Sequence, residues 1–362
     1  MSSYDTIVIG GGLTGLLITH KLHQSGKSVA LLEAREILGG RYRRQNLSYS
    51  STGLDFFPAT NDNMGLLEWI KANSPLPLQI DVNEHRPQLY DEGRWRPFAG
   101  FGETDFLSVG ELAHFSHTND VTVEPGLEQL TRALIEQLPI VAMTMSEVTK
   151  LTVTDGKITE ITVNGDKHMK AENVVFTPFP GILNTLIEGE GLAAKNRTRL
   201  AKMHAWTAVT LELTHSPPLV EDPSIRIFTH GSKEFEPVVG RSFGETSRWL
   251  TLVPFERGTE HEFVGQCIRH IKRQLKRAWP GAFDGKPQEK IFVQSNAFGQ
   301  QMLKTKDPLR FPEISNLWLA NHLLAANPGE ISALEMALMA SMELGADDTK
   351  RLSATDDRDV EG

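Results

Sequence analysis

The chain has 362 residues, 40% hydrophobic and 23% charged, with a formal net charge of −9, which fits a globular fold large enough to enclose a cofactor. The acidic balance, with no basic tail, argues against nucleic acid as a partner. Cys267 is the only cysteine, so an intramolecular disulfide, a CxxC redox pair and a cysteine-rich metal centre are excluded, and no other metal-ligand spacing stands out.

The chain begins MSSYDTIVIGGG. Asp5 interrupts the apolar run and no basic leader precedes it, so this reads as a strand start rather than a signal peptide. No stretch of about 18 apolar residues occurs. The expectation is a soluble, cytoplasmic protein without an integral membrane segment.

Residues Thr6 to Ile9 form a short β-branched run, as a buried parallel strand does. Gly10, Gly12 and Gly15 follow with G-x-G-x-x-G spacing, and Leu13, Leu16, Leu17 and Leu22 recur at helical intervals. Ser28 to Glu33 reads as a second strand ending in an acid, 18 residues after Gly15. Each position has a physical task. Gly10 permits the tight turn, Gly12 lets backbone approach a pyrophosphate, and Gly15 lets the helix pack on the sheet. Amides at Leu13 and Thr14 face phosphate, and Glu33 accepts from a ribose. Strand, glycine loop, helix and acid together form a dinucleotide fingerprint, which serves NAD and FAD alike.

The residues after the second strand decide between the two nucleotides. Glu33, Ala34 and Arg35 are succeeded by Gly39, Gly40 and Arg41. This E-A-R-x-x-x-G-G-R arrangement resembles the flavin-containing amine oxidases and their relatives, the phytoene desaturases and protoporphyrinogen oxidases. The resemblance implies an α/β fold: a Rossmann-like FAD-binding domain of the glutathione-reductase type, with a discontinuous α+β substrate domain. It implies noncovalent FAD, with Gly39, Gly40 and Arg41 folded over the pyrophosphate, where a bidentate guanidinium suits phosphate oxygens.

The resemblance extends along the chain. Gly53-Leu54-Asp55-Phe56-Phe57 stands where the family has D-x-G-G beside the flavin, with Phe56 and Phe57 replacing the glycines. Glu124-Pro125-Gly126-Leu127 precedes a helix. The turns Asp155-Gly156 and Asn164-Gly165 join alternating runs into a β-meander, whose Val148 matches the family's backbone contact to adenine; a core valine fits equally. Leu317 to Ala320 reads as the last strand of the FAD domain. Asn321 and His322 then replace the family's glycine and acid, and Ile331 lies at the head of a helix running from about 330 to 344.

The implied division is 1–60, 120–180 and 300–346 for the FAD domain, 61–119 and 181–299 for the substrate domain, and a disordered tail at 347–362. In the family, substrate gives hydride to flavin N5. Oxygen-using members often carry a lysine on a strand matching His204 to Leu213, which has none here. A desaturase, a dehydrogenase with another acceptor, or a non-catalytic or partner-dependent flavoprotein all stay open. His204, Trp206 and His322 are the candidates near the reacting ring. Lys304 and Lys306 read as surface. The basic helix Phe263 to Trp279 reads as a solvated face or as a membrane-surface or partner site.

Overall fold

The fold is taken from a computed structural model, which describes residues 2–42, 53–188, 191–229, 234–299, 310–325, 329 and 331–346. Lys304, Lys306, Asn327, Pro328 and the 347–362 tail lie outside the described residues. In chain order the strands are β1 (Ser2–Ile9), β2 (Val29–Leu32), β3 (Phe57–Pro58), β4 (Gln79–Glu84), β5 (Gln88–Asp91), β6 (Arg94–Pro97), β7 (Asn119–Glu124) and β8 (Val148–Thr154). They continue as β9 (Lys157–Val163), β10 (Lys167–Phe176), β11 (Ala205–Thr214), β12 (Arg226–Phe228), β13 (Val238–Phe243), β14 (Thr246–Pro254), β15 (Gln288–Gly299) and β16 (Leu317–Leu319). The longer helices are α1 (Leu13–Gln24), α2 (Asn61–Asn73), α3 (Leu127–Glu136), α4 (His261–Ala278) and α5 (Ser332–Glu343).

The first sheet runs β2-β1-β10-β9-β8, with β16 also on β10. β10 changes role along its length. Lys167 to Met169 pair antiparallel with β9, while Val174 to Phe176 pair parallel with β16, and β1 lies parallel along its other side. The strands β1, β2, β10 and β16 therefore point their C-terminal ends the same way. Their apolar runs (Ile7, Val8, Leu31, Val174, Val175 and Leu317) are fully or almost fully buried, as parallel strands covered on both faces must be. Helix α1 is apolar nearly all round because it packs against β1 and β2 as well as α3 and α5. Helix α2, which the sequence division placed with 61–119, sends Leu66, Leu67, Trp69 and Ile70 into this first core.

A second sheet runs β15-β11-β14-β13-β12-β5-β6 and is antiparallel except where β12 meets β5. β11 is its spine and is buried along nearly its whole length. Trp206 and Ala208 face a core shared with Leu54, Phe56 and Phe115. Val209, Leu211 and Leu213 face the opposite core, closed by α4 through Phe263, Cys267, Ile271 and Leu275. The basic helix of the sequence is thus an amphipathic cover: Lys272 pairs with Glu289 at 2.5 Å and sits over the Phe283 ring. A small sheet, β3-β7-β4, is built from strands that fall between β2 and β8 in the chain.

Among the described residues, no helix is long and apolar enough to cross a membrane. No group of three or more His, Cys, Asp or Glu side chains among them is placed to hold a metal ion. Cys267 is fully buried, and burial pushes its thiol up to about 11. A thiol reagent such as Ellman's is expected to titrate no cysteine in the native protein and one after unfolding. Fast native labelling would contradict this placement.

Candidate functional site

The C-terminal ends of β1, β2 and β10, with the residues just after β16, surround a cleft of about 520 Å³. That lies within the ~300–1,000 Å³ typical of small-molecule sites, at the strand ends where open α/β sheets bind ligands. Ile9 leads into Gly10, Leu32 into Glu33, and Phe176 into Thr177, and Asn321 and His322 complete the wall.

Backbone packing explains the glycines. Gly10 has φ +100°, and a Cβ there would stand 2.3 Å from the Thr177 hydroxyl, which donates to the Ile9 carbonyl at 2.9 Å. A Cβ on Gly15 would lie 2.0 Å from the Gly10 carbonyl oxygen, so the first turn of α1 rests directly on the loop. The second glycine pair lies on the first loop. Gly39 N donates to Gly11 O at 2.7 Å, and a Cβ on Gly40 would come within 2.9 Å of the Gly12 Cα. Backbone thus forms the cleft wall at Gly12 and Gly40.

Glu33 accepts from Gly11 N at 2.8 Å and from Arg35 N at 2.9 Å, one bond to each carboxylate oxygen. A carboxylate has about four lone-pair sites, so acceptor capacity is left for a ligand hydroxyl. Leu13, Thr14, Ala34, Arg35, Arg41 and Val148 also line the cleft. The Thr14 hydroxyl donates to Ala333 O at 3.1 Å, tying α1 to α5. Asn321 uses its whole amide: Nδ2 donates to Thr177 O at 2.7 Å and Oδ1 accepts from Leu323 N at 2.9 Å. An acid could not make both bonds.

Other residues singled out in the sequence lie elsewhere. Gly15, Gly39, Phe57 and Ile331 sit behind the wall, with Phe57 and Ile331 buried in the first core. Phe56 lines a separate cavity of about 20 Å³ between Arg41 and the second sheet, with His114, Phe115 and Phe298 around it. That is room for one water. Phe56 meets His114 edge-on at 5.5 Å. Trp206 is buried in the core behind this cavity, and His204 precedes β11 with its side chain half exposed, 3.8 Å from Glu256. Neither lines the cleft.

Residues 8–60 match the NAD(P)-binding Rossmann-like domain family. Amine oxidase [flavin-containing] B of Cavia porcellus is 34% identical over 104 residues, 27% of this chain and 19% of that protein. The Bos taurus counterpart is 32% identical over 124 residues, 33% of this chain and 22% of that protein. The matched stretches thus span about a fifth of these relatives' length. In solved structures, the fold is similar to cyclohexylamine oxidase from Brevibacterium oxydans, with TM-score 0.66 at 12% identity, covering 96% of this chain and 100% of that one. Putrescine oxidase bound to putrescine gives 0.67 at 12% identity, covering 95% and 99%. Over these stretches the chain is similar to flavin-containing amine oxidases, and its fold is similar to that of the solved amine oxidases.

Several cleft residues were not singled out in the sequence. Thr177 and Pro178 directly follow the β10 run and Ser146 and Glu147 precede Val148, so proximity to a strand end was the available signal. Tyr42, Ile182 and Thr185 enter through short helical turns and carry no such mark.

Burial holds His114 and His270 neutral. Burial lowers His114 to about 4, with His117 adding to the effect and a backbone hydrogen bond at Phe56 opposing it. Burial and Arg273 lower His270 to about 4, where it stacks on Phe235 at 4.8 Å. Between an unfolded value of about 6.5 and these folded values, the unfolded chain binds more protons, so stability falls as pH falls through that window. Glu111 and Glu128, whose carboxyls burial pushes up, act in the opposite sense. Urea unfolding is expected to show lower stability at pH 5 than at pH 7, and His270→Phe should narrow the difference. An unchanged difference in that variant would contradict the assignment.

Proposed function

We propose that the chain is an FAD-dependent oxidoreductase that takes hydride from a small amine-bearing or apolar substrate. What carries this reading is the backbone meeting of Gly12 and Gly40 beside Glu33. There, two glycine loops bring backbone to the cleft wall, where a pyrophosphate would fit, and Glu33 at the end of β2 lines the same cleft, where a ribose would lie. Bound FAD would supply the hydride acceptor at N5.

The chain's own groups divide the binding work. Glu33 would accept from ribose hydroxyls, and the amides opening α1 with Arg41 would hold the pyrophosphate. The Val148 backbone would serve the adenine, and His322 stands on the wall toward the second sheet. The inner face of the second sheet is the substrate side, where Phe298 meets Phe56 and Phe115 around the small cavity; this tight aromatic packing favours a small substrate. In this reading the first sheet is a glutathione-reductase-type FAD domain, and the second sheet with α4 is the substrate domain. FAD would be noncovalent in this reading; the only cysteine, Cys267, is on the buried face of α4 against the core that Val209, Leu211 and Leu213 line.

The test is the visible spectrum of the purified protein, alone and after FAD titration. Flavin bands near about 375 and 450 nm that are released on heat denaturation support the reading, and anaerobic bleaching by an amine panel extends it to the reaction. A colourless protein that takes up no FAD overturns it.

A further inference from the structure

The pairing of β15 with β11 is interrupted next to the cleft. Ala208 faces Gln294 and Trp206 faces Phe298, so Ser295, Asn296 and Ala297 stand opposite Thr207 alone. Asn296 takes the left-handed conformation at φ +55°, which asparagine tolerates better than most residues. Bulges of this kind re-aim backbone groups. Here His322 Nε2 lies 2.8 Å from the Asn296 carbonyl oxygen. A carbonyl can only accept, so Nε2 carries the proton and donates. Arg41 Nη2 makes a longer contact of 3.5 Å to the carbonyl of the next residue, Ala297. Beyond the bulge, a Cβ on Gly299 would stand 3.5 Å from the Leu323 carbonyl, so the strand end runs against the turn that begins with His322.

We propose that His322 is a positioning residue: its Nε2–H pins the β15 bulge to the nucleotide cleft, and its bare Nδ1 leaves a neutral acceptor on a cleft-lining side chain for a ligand hydroxyl. The imidazole is suited to this because burial, with Arg41 next to it, lowers His322 to about 3, and the bond to Asn296 opposes this only in part. It therefore stays a single neutral tautomer across the working pH range. A carboxylate at this position could not donate to Asn296, whereas histidine donates at one nitrogen and accepts at the other. The second sheet is thereby fixed relative to the first through a side chain that also touches the cleft. The ligand part of the inference rests on the FAD reading; the bridge does not.

Three variants separate the roles. Glutamine places an N–H2 at nearly the reach of histidine Nε2, asparagine is a bond too short, and leucine fills space without a donor. Hydrogen exchange of the 291–299 segment is measured without added flavin, and FAD affinity by fluorescence titration. His322→Asn and His322→Leu are expected to exchange about tenfold faster there and to bind FAD about tenfold more weakly, with His322→Gln close to the parent in both. If asparagine and glutamine variants behave alike in exchange, the bridge is overturned, and this comparison stands even if the leucine variant does not fold. Exchange that separates them while all bind FAD equally overturns the ligand part. A parent protein that takes up no FAD overturns the proposed function, and exchange alone then decides the bridge.

Discussion

Gly15→Ala is expected to cost the protein about 3 kcal/mol of stability, toward the upper end for overpacking, and to abolish nucleotide uptake. The added methyl would lie 2.0 Å from the Gly10 carbonyl oxygen. That atom is backbone at the end of a buried strand and cannot rotate away. To relieve the contact, α1 must lift from the loop. That strains the Leu16 N to Gly12 O bond of 2.9 Å that starts the helix and the Thr14 bond to Ala333. The cleft wall moves with it. Gly65→Ala supplies the control: Gly65 sits inside α2 with nothing within 4 Å of the added carbon. That change should stabilise by about 0.5–1 kcal/mol through helix propensity and the unfolded chain. Urea unfolding of both variants checks the pair. Equal and small effects would mean that α1 does not rest on the glycine loop.

Arg241→Met is expected to destabilise by about 3–5 kcal/mol. Arg241 and Asp120 are both buried and 2.7 Å apart. Asp120 lies on β7 and Arg241 on β13, so the pair fastens the small sheet to the second sheet. Removing the guanidinium leaves a carboxylate inside the protein, with the His85 ring 3.6 Å away. Replacing both partners, Arg241→Met with Asp120→Leu, should cost less than Arg241→Met alone, because no unpaired charge is then left inside. Denaturant unfolding of the double-mutant cycle measures this. Simple additivity would show that the pair is not coupled.

What was legible in the sequence was local. The glycine spacing, the acid after the second strand and the turn dipeptides of the meander each act over a few residues. They correspond to the loop before α1, the end of β2 and the hairpins joining β8, β9 and β10. The order of the second sheet was not legible, because the parallel meeting of β12 with β5 joins segments more than a hundred residues apart. His204 and Trp206 read as a pair facing the cofactor because strand residues alternate. Yet the strand begins only at Ala205 and is covered on both faces, so His204 ends in solvent and Trp206 in core. His114 gave no signal, since a histidine is buried by tertiary packing and not by its neighbours in sequence. The Asn321-His322 departure was visible, but its physical reason was not: each side chain bonds to a carbonyl on another segment, Thr177 and Asn296.

The divided pairing of β10 also orders events during synthesis. Its first residues can join the β9 hairpin as soon as they emerge, because those partners are adjacent in the chain. Its last three must wait for β16, about 140 residues later. Loop closure over that distance is slow compared with hairpin formation. A growing chain therefore carries a half-built sheet with one open strand side while β11 to β15 of the second sheet are being made. The residues around the cleft run from Ile9 to Ala333, so the cleft is complete only once Ala333 has been made, and until then the packing of α1 on β1 and β2, rather than a ligand, covers the first strands.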